Sequence, residues 1–317
     1  MATGAPRVTV LAGGVGAARF LRGLIRRIDP GRLTVVVNTA DDDTFFGLHV
    51  SPDVDTVLYT LAGLADPARG WGRADDTFAC LGALGALGEP TWFQLGDRDV
   101  ATHLFRTERL RRGWSPSRVT MALRARLGVR ADVRPMTDES VRTWVHTSRG
   151  RIPFQDYLVR RRARDAVRRI EIAGARGARP APGVLSAIRR ADALLLPPSN
   201  PLVSIGPILA IPAIRSAVQR HPGPRIAISP LVGGRAVRGP LHRMLRALGH
   251  PASAVGVARL YRGMIDCFVL DARDRHQADR IEALGYDVLV TDTLMHDARG
   301  AARLAATVLR SIERRRR

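Results

Sequence analysis

Four short stretches of this sequence carry residue types that suit phosphate chemistry. The first is Gly13-Gly14-Val15-Gly16. Glycines let backbone N–H groups approach an anion, and a helix beginning there adds partial positive charge, so the stretch reads as a phosphate cradle. The second is an acidic cluster, Asp41, Asp42 and Asp43, with Asp53 and Asp55 shortly after. Carboxylates on both sides of one site suit a hard cation such as Mg²⁺, which takes carboxylate and phosphate oxygens together. The competing reading is a pair of acidic helix caps, but Asp55 falls past the cap position of an apolar helical stretch. The third is Ser199-Asn200, which could read a base or ribose edge or simply make a turn. The fourth is Ser229 with Gly233-Gly234. Asn38 and Thr39 precede the acidic cluster. Gly96-Asp97-Arg98-Asp99 joins a helix start to a guanidinium, which suits an anion, although an ordinary capped helix explains it almost as well.

The elements that must position these groups follow from the hydrophobic pattern. Residues 8–12 and 34–37 read as buried parallel strands around an amphipathic helix closed by Asp29-Pro30-Gly31. Pro52 fits the first position of a helix. Helices are expected at 75–88, 99–111 and from Ser115-Pro116 to about Leu127. Between Arg130 and about Ile172 the pattern changes to short strands at 131–134, 143–147 and 168–172 around a helical piece, 154–162. This marks an inserted α+β subregion at about 130–175 that could form a lid or a dimer contact. Alternation then resumes, with strands at 193–196, 225–229, 267–270 and 288–291 and helices at 206–219, 240–248, 275–284 and 298–313. The expected fold class is α/β: one domain over 1–317 with a doubly wound, mostly parallel Rossmann-like sheet. In such sheets ligands bind at the carboxyl ends of the strands, so the four stretches should converge on one crevice.

Composition narrows the chemistry. The net charge is +21, but all 50 basic residues are arginine and lysine is absent. Asparagine occurs only at positions 38 and 200. Lysine and asparagine share A-rich codons, so the bias reads as that of a GC-rich genome rather than as a nucleic-acid footprint. Arginines are spread along the chain and aromatics are 5% of it, against a nucleic-acid partner. The absence of lysine removes a Walker lysine and a Schiff base. No apolar run approaches the roughly 20 residues of a membrane span, and no signal peptide is evident. Cys80 and Cys267 have no metal spacing and read as reduced thiols, consistent with a cytoplasmic location. The glycine turn is not a dinucleotide fingerprint, because Arg19 stands where the third glycine belongs.

Taken in order, the motifs resemble the 2-phospho-L-lactate transferase family of coenzyme F420 biosynthesis. The likeness rests on residues 11–21 (LAGGVGAARFL), 37–42 (VNTADD), 52–61 (PDVDTVLYTL) and 92–103 (WFQLGDRDVATH). It continues through Gly70-Trp71-Gly72, Asp76-Thr77-Phe78, Phe154-Gln155, 198–201 (PSNP) with 204–206 (SIG), and 229–234 (SPLVGG).

The resemblance implies transfer of a phosphorylated three-carbon acid from its guanosine diphosphate adduct to the ribityl hydroxyl of the deazaflavin Fo, with release of GMP. It implies Mg²⁺ held by Asp42 and Asp55, which would also handle the acceptor hydroxyl. It assigns the donor phosphates to Gly13, Gly14 and Gly16, and the guanosine side to Ser199, Asn200 and Ser229. Asn38, Thr39, Asp97, Arg98 and Gly233 join them as expected substrate contacts. Asp43-Thr44 departs from the family's aromatic, for which Phe45 or Phe46 could stand in. A homodimer is implied. The donor acid is phosphoenolpyruvate, 2-phospholactate or phosphoglycerate, and a GC-rich bacterial source tilts it to phosphoenolpyruvate. The alternative is a non-catalytic nucleotide-sugar-binding regulator of the same superfamily.

Overall fold

The computed structural model describes residues 5–316. The chain opens with strand β1 (Val8–Ala12), helix α1 (Gly14–Leu24) and strand β2 (Leu33–Val37). A hairpin of β3 (Asp43–Phe45) and β4 (Leu48–Val50) leads to α2 (Pro52–Leu61), whose Pro52 sits at the helix start as its fixed φ favours. Helices α3 (Ala79–Ala86), α4 (Asp97–Arg111) and α5 (Pro116–Arg126) precede β5 (Asp132–Pro135). Three strands follow, β6 (Arg142–Thr147), β7 (Gly150–Pro153) and β8 (Val167–Ala173). The second half runs α6 (Val184–Arg190), β9 (Ala193–Leu196), α7 (Ile205–Ala210), α8 (Pro212–Gln219) and β10 (Arg225–Ile228). It ends with a small hairpin, β11 (Leu231–Val232) and β12 (Arg235–Ala236), then α9 (Leu241–Ala247), α10 (Ala254–Leu260), β13 (Cys267–Asp271), α11 (Ala278–Glu282), β14 (Asp287–Thr291) and α12 (Ala298–Arg315).

Seven strands form a parallel sheet in the order β14-β13-β10-β9-β1-β2-β5. Every residue of β1 is buried, as a strand covered on both faces requires. Val8, Val10 and Ala12 face one helical layer with Phe20, Leu21 and Leu24 of α1. Leu11 faces the other layer with Ile205 and Ile208 of α7. The chain winds outward through β2 to β5, then returns to the other side of β1 as β9. The direction of winding therefore reverses between β1 and β9, and this is where a ligand crevice is expected. Among the described residues no helix is long and apolar enough to cross a membrane.

Several expected elements differ. The first strand expected in the inserted subregion, β5, is the edge of the central sheet and pairs with β2. The remainder is an antiparallel sheet ordered β7-β6-β8, with a π-helical turn at Asp156–Arg160 in place of the longer helical piece. Its small core of Val145, Phe154, Tyr157, Ala163 and Val167 packs on Val203 and Met244. The single helix expected at 206–219 is two helices. Ile211 takes an extended ψ of 113° before Pro212, which lacks the N–H that would continue the helix. The helix expected from residue 75 starts at Ala79, and it is apolar yet outward-facing, with only Leu81 buried. The stretch expected as a helix at 275–284 is a 3₁₀ segment, Ala272–Gln277, running into the short α11. Helix α10 went unexpected, although Ser253 caps it by accepting the Gly256 N–H. The basic tail begins on α12, and Arg317 lies outside the described residues.

Candidate active site

A cavity of about 770 Å³ opens at the carboxyl ends of β1 and β9. Its floor is a close approach of two turns. A Cβ on Gly16 would lie 2.1 Å from the Pro198 carbonyl oxygen, so only glycine allows the β9 turn to pack there. Ser199 Oγ donates to the Gly13 carbonyl at 2.8 Å and locks the two turns together. Gly14 takes φ 72°, the left-handed region that glycine enters at little cost. Its N–H donates to Asp53 Oδ1 at 2.8 Å, and Asn38 Nδ2 donates to Asp53 Oδ2 at 2.9 Å. The anion facing the first N–H of α1 is thus a carboxylate of the protein itself.

The acidic cluster divides into groups with different surroundings. Asp41, Asp53 and Asp55 line the cavity. Asp55 is spent on Arg106, a buried guanidinium that donates Nη1 to Oδ2 at 3.0 Å and Nη2 to Oδ1. Arg106 Nη1 also lies 3.1 Å from His103 Nδ1. His103 Nε2 is 3.3 Å from Asp99 Oδ1, which accepts the Tyr59 hydroxyl at 2.7 Å. Asp42 is not part of the cavity lining; its Oδ2 accepts Ser51 Oγ at 2.7 Å and meets His49 Nε2 at 3.2 Å. Asp43 pairs with Arg142. The pair expected to hold a cation, Asp42 and Asp55, is therefore otherwise engaged on at least one side.

Asp41 and Asp53, which line the cavity, are a second pair of carboxylates with the chemistry for that role. Burial and the neighbouring Asp53 charge push the Asp41 carboxyl well above the usual range. Burial raises Asp53 to about 6, against the hydrogen bonds from Asn38 and Gly14. Asp41 Oδ1 is buried with no hydrogen-bond partner, and so is Asp42 Oδ1 outside the cavity lining. Two mutually repelling carboxylates with an orphaned oxygen suit a small divalent cation, which usually takes one or two protein carboxylates and completes its shell with substrate phosphates and water. Among the described residues no group of three or more His, Cys, Asp or Glu side chains could hold a metal ion, so ligand and water would supply the rest.

Of the other expected contacts, Gly13, Gly14, Gly16, Ser199, Asn200 and Ser229 line the cavity. Asn200 is partly used locally, its Oδ1 accepting the Leu202 N–H at 2.9 Å. Ser229 Oγ closes a turn on the Leu231 carbonyl. Asn38 and Thr39 lie outside the lining, and Asn38 acts as a fully buried bracket for Asp53. Asp97 is a cap for α3, accepting the N–H groups of Ala79 and Cys80, and Arg98 is exposed away from the cavity. Gly233 sits apart from the lining, its N–H donated to Asp274.

Sequence reading missed Arg19, Arg238 and the aromatic rim. Trp71, Trp92 and Phe93 line the cavity, and Phe45 stacks on Phe93 with centroids 3.7 Å apart and planes within 8°. Phe45 thus backs the rim from behind, and Trp92 meets both rings edge-on. The signal for Arg19 was present, since it fills the missing glycine position of the fingerprint.

The family model described as 2-phospho-L-lactate transferase CofD matches residues 8–310. A phosphoenolpyruvate transferase of Kitasatospora aureofaciens is 44% identical over 310 residues, covering 96% of this chain and 97% of that protein. One of Streptomyces coelicolor is 45% identical over 311 residues, with coverage of 96% and 97%. A 2-phospho-L-lactate transferase of Methanosarcina mazei is 37% identical over 302 residues, with coverage of 95% and 99%. A crystal structure of a UPF0052-family protein from Bacillus halodurans superposes with a TM-score of 0.65 at 16% identity, covering 97% of this chain and 99% of that one, and so shares the fold. On the breadth of these matches, the chain belongs to the 2-phospho-L-lactate transferase CofD family.

Proposed function

We propose that this transferase moves a phosphorylated three-carbon acid from its guanosine diphosphate adduct to the terminal ribityl hydroxyl of Fo. The hydroxyl oxygen bonds to the outer phosphorus, the bridging P–O bond breaks, and GMP leaves with the electron pair. A carboxylate of the Asp41–Asp53 pair takes the hydroxyl proton. The observation that carries this reading is that pair, buried beside the glycine turn in the cavity of a chain of this family. Phosphoryl-type transfer depends on positioning and charge stabilisation more than on a nucleophilic side chain, so the absence of lysine is no obstacle.

Mg²⁺, held by Asp41 and Asp53, would neutralise the diphosphate as the phosphate ester is transferred. The aromatic rim of Trp71, Trp92 and Phe93 supplies flat apolar surface for a fused ring system. Phosphoenolpyruvate is the preferred acid, because the relatives at 44–45% identity carry that name and the phospholactate relative is more distant. Assembly as a homodimer follows from the family resemblance, and light scattering in solution reads it directly.

The test is to incubate the protein with Fo, Mg²⁺ and each guanylylated three-carbon acid in turn and weigh the products. The expected result is the phosphodiester of Fo with stoichiometric GMP, fastest from the phosphoenolpyruvate adduct. No GMP from any donor overturns the proposal.

A further inference from the structure

We infer that Arg19 and Arg238 form the anion-binding wall of the cavity, and that the diphosphate of a nucleoside diphosphate ester lies against them rather than over Gly14. The inference rests on the donor class proposed above and adds the residues that recognise it.

The start of α1 is where sequence alone would place a phosphate. That place is taken, because the Gly14 N–H donates to Asp53. A second anion at the same N–H would stand against a carboxylate. The next residues of the turn, Val15 and Gly16, line the cavity, and at a helix start their N–H groups have no intrahelical acceptor. One turn further along is Arg19, which also lines the cavity.

Arg19 is half-buried and, among the described residues, has no carboxylate within ion-pair distance. Burial, then the charges of Arg238 and Arg22, weaken its hold on its proton. Arg238 reaches the same wall from the segment after β12. Its Nη2 donates to the Ala68 carbonyl at 2.9 Å, and its Nη1 to that of Arg69. A Cβ on Gly70 would lie 2.6 Å from Val15 Cγ1 and 2.9 Å from Arg238 Nη1, so this guanidinium and the Val15 side chain from the first turn of α1 pack against the same residue. Arg238 likewise has no carboxylate partner among the described residues.

Two guanidinium groups thus line one cavity, and among the described residues neither has a carboxylate partner. Crowding like charges while partly desolvating one of them is costly unless a counter-ion arrives. Both arginines line the cavity, so the counter-ion that fits them is a ligand. The planar Arg19 fork matches phosphate oxygens in pairs, Arg238 adds its charge while its Nη groups hold Ala68 and Arg69, and helix N–H groups beside them complete the donor set. The class that fits is a diphosphate. Arg238 has a second task, since its bonds to Ala68 and Arg69 hold the loop that carries Trp71.

The test is calorimetric titration of the wild type, Arg19→Gln, Arg19→Lys and Arg238→Gln with GDP and with inorganic pyrophosphate, in Mg²⁺ at low and high KCl. Thermal melts accompany each variant. Arg19→Gln should lose about 10- to 100-fold in affinity for both ligands, as removal of a charged hydrogen-bond donor predicts. Its affinity should also fall less steeply with salt. Arg19→Lys keeps the charge without the fork and should fall between. Binding by Arg19→Gln within twofold of the wild type, or binding of neither ligand by the wild type, overturns the inference. The two proposals separate cleanly. GDP binding through Arg19 without GMP release from any donor sinks the transfer reading alone. Transfer with unaltered GDP binding by Arg19→Gln sinks the wall alone.

Discussion

The Asp53 carboxylate accepts the backbone N–H of Gly14 at 2.8 Å, joining the start of α2 to the start of α1. Its other oxygen is fixed by Asn38 at 2.9 Å. Asp53→Asn keeps the shape but removes the charge and offers an amide donor where two donors already point. Transfer should fall by about 10²-fold or more, on the scale of other preorganised charge contacts. Steady-state rates with a matched melting curve check this, and a variant with wild-type turnover refutes it.

The same residue makes stability depend on pH. Its native pKa of about 6 lies above the ordinary 3.8, so protonation favours the folded state. Its stabilising contribution is complete below about pH 4 and is lost as pH rises through about 6. Asp41 acts in the same direction. Metal-free wild type should therefore lose stability relative to Asp53→Asn across that window, by up to about 1.4 kcal/mol for each pH unit crossed. Paired denaturant melts measure it, and a constant gap across the window contradicts the assignment.

A divalent cation should reverse that trend. Mg²⁺ binds the ionised pair, so it should raise the melting temperature of the wild type at neutral pH. The rise should vanish in Asp41→Asn and in Asp53→Asn and persist in Asp42→Asn, whose side chain faces His49 and Ser51. Chelation should stop transfer. Loss of the rise only in Asp42→Asn would return the cation to the site first expected.

Asp55 and Arg106 are both buried, and each is the other's counter-ion. Asp55→Asn or Arg106→Gln should cost about 3–5 kcal/mol, because each leaves a lone buried charge. The double variant should cost less than the sum of the two. Equilibrium unfolding of the four proteins closes the cycle, and additive losses rule out the pairing.

Glycines separate by their surroundings. Gly16→Ala drives a methyl into the Pro198 carbonyl at 2.1 Å and should destabilise by about 2 kcal/mol or more. Gly82 lies within α3 with nothing near its missing Cβ, so Gly82→Ala should stabilise by about 0.5–1 kcal/mol. Thermal melts of the two variants decide both.

What the sequence revealed and what it hid have a common cause. The β1–α1–β2 opening and the glycine turn were legible because strand, turn and helix signals are local. The crevice was legible because winding direction follows from the order of elements. The roles of single carboxylates were not. That Asp55 is paired with Arg106 could not be read from the sequence, because the two lie 51 residues apart. Asp97 looked like an anion contact because the α3 N–H groups it caps lie 17 or 18 residues earlier in the chain. Periodicity also carried the helix at 206–219 across Pro212, where the preceding residue cannot stay helical. The strand expected at 131–134 stands in sequence beside those of the inserted subregion, and its pairing with β2 is decided only in three dimensions.

The Ser199–Gly13 bond spans 186 residues. On a ribosome, β1 and β2 emerge early, while β9 comes far later. Until then one edge of β1, a strand whose every residue ends up buried, has no strand beside it. Such an edge invites mispairing and chaperone capture during synthesis. The crevice thus cannot exist until β9 is made, and a ribosome stalled before β9 would display β1 as an open template with no site at all.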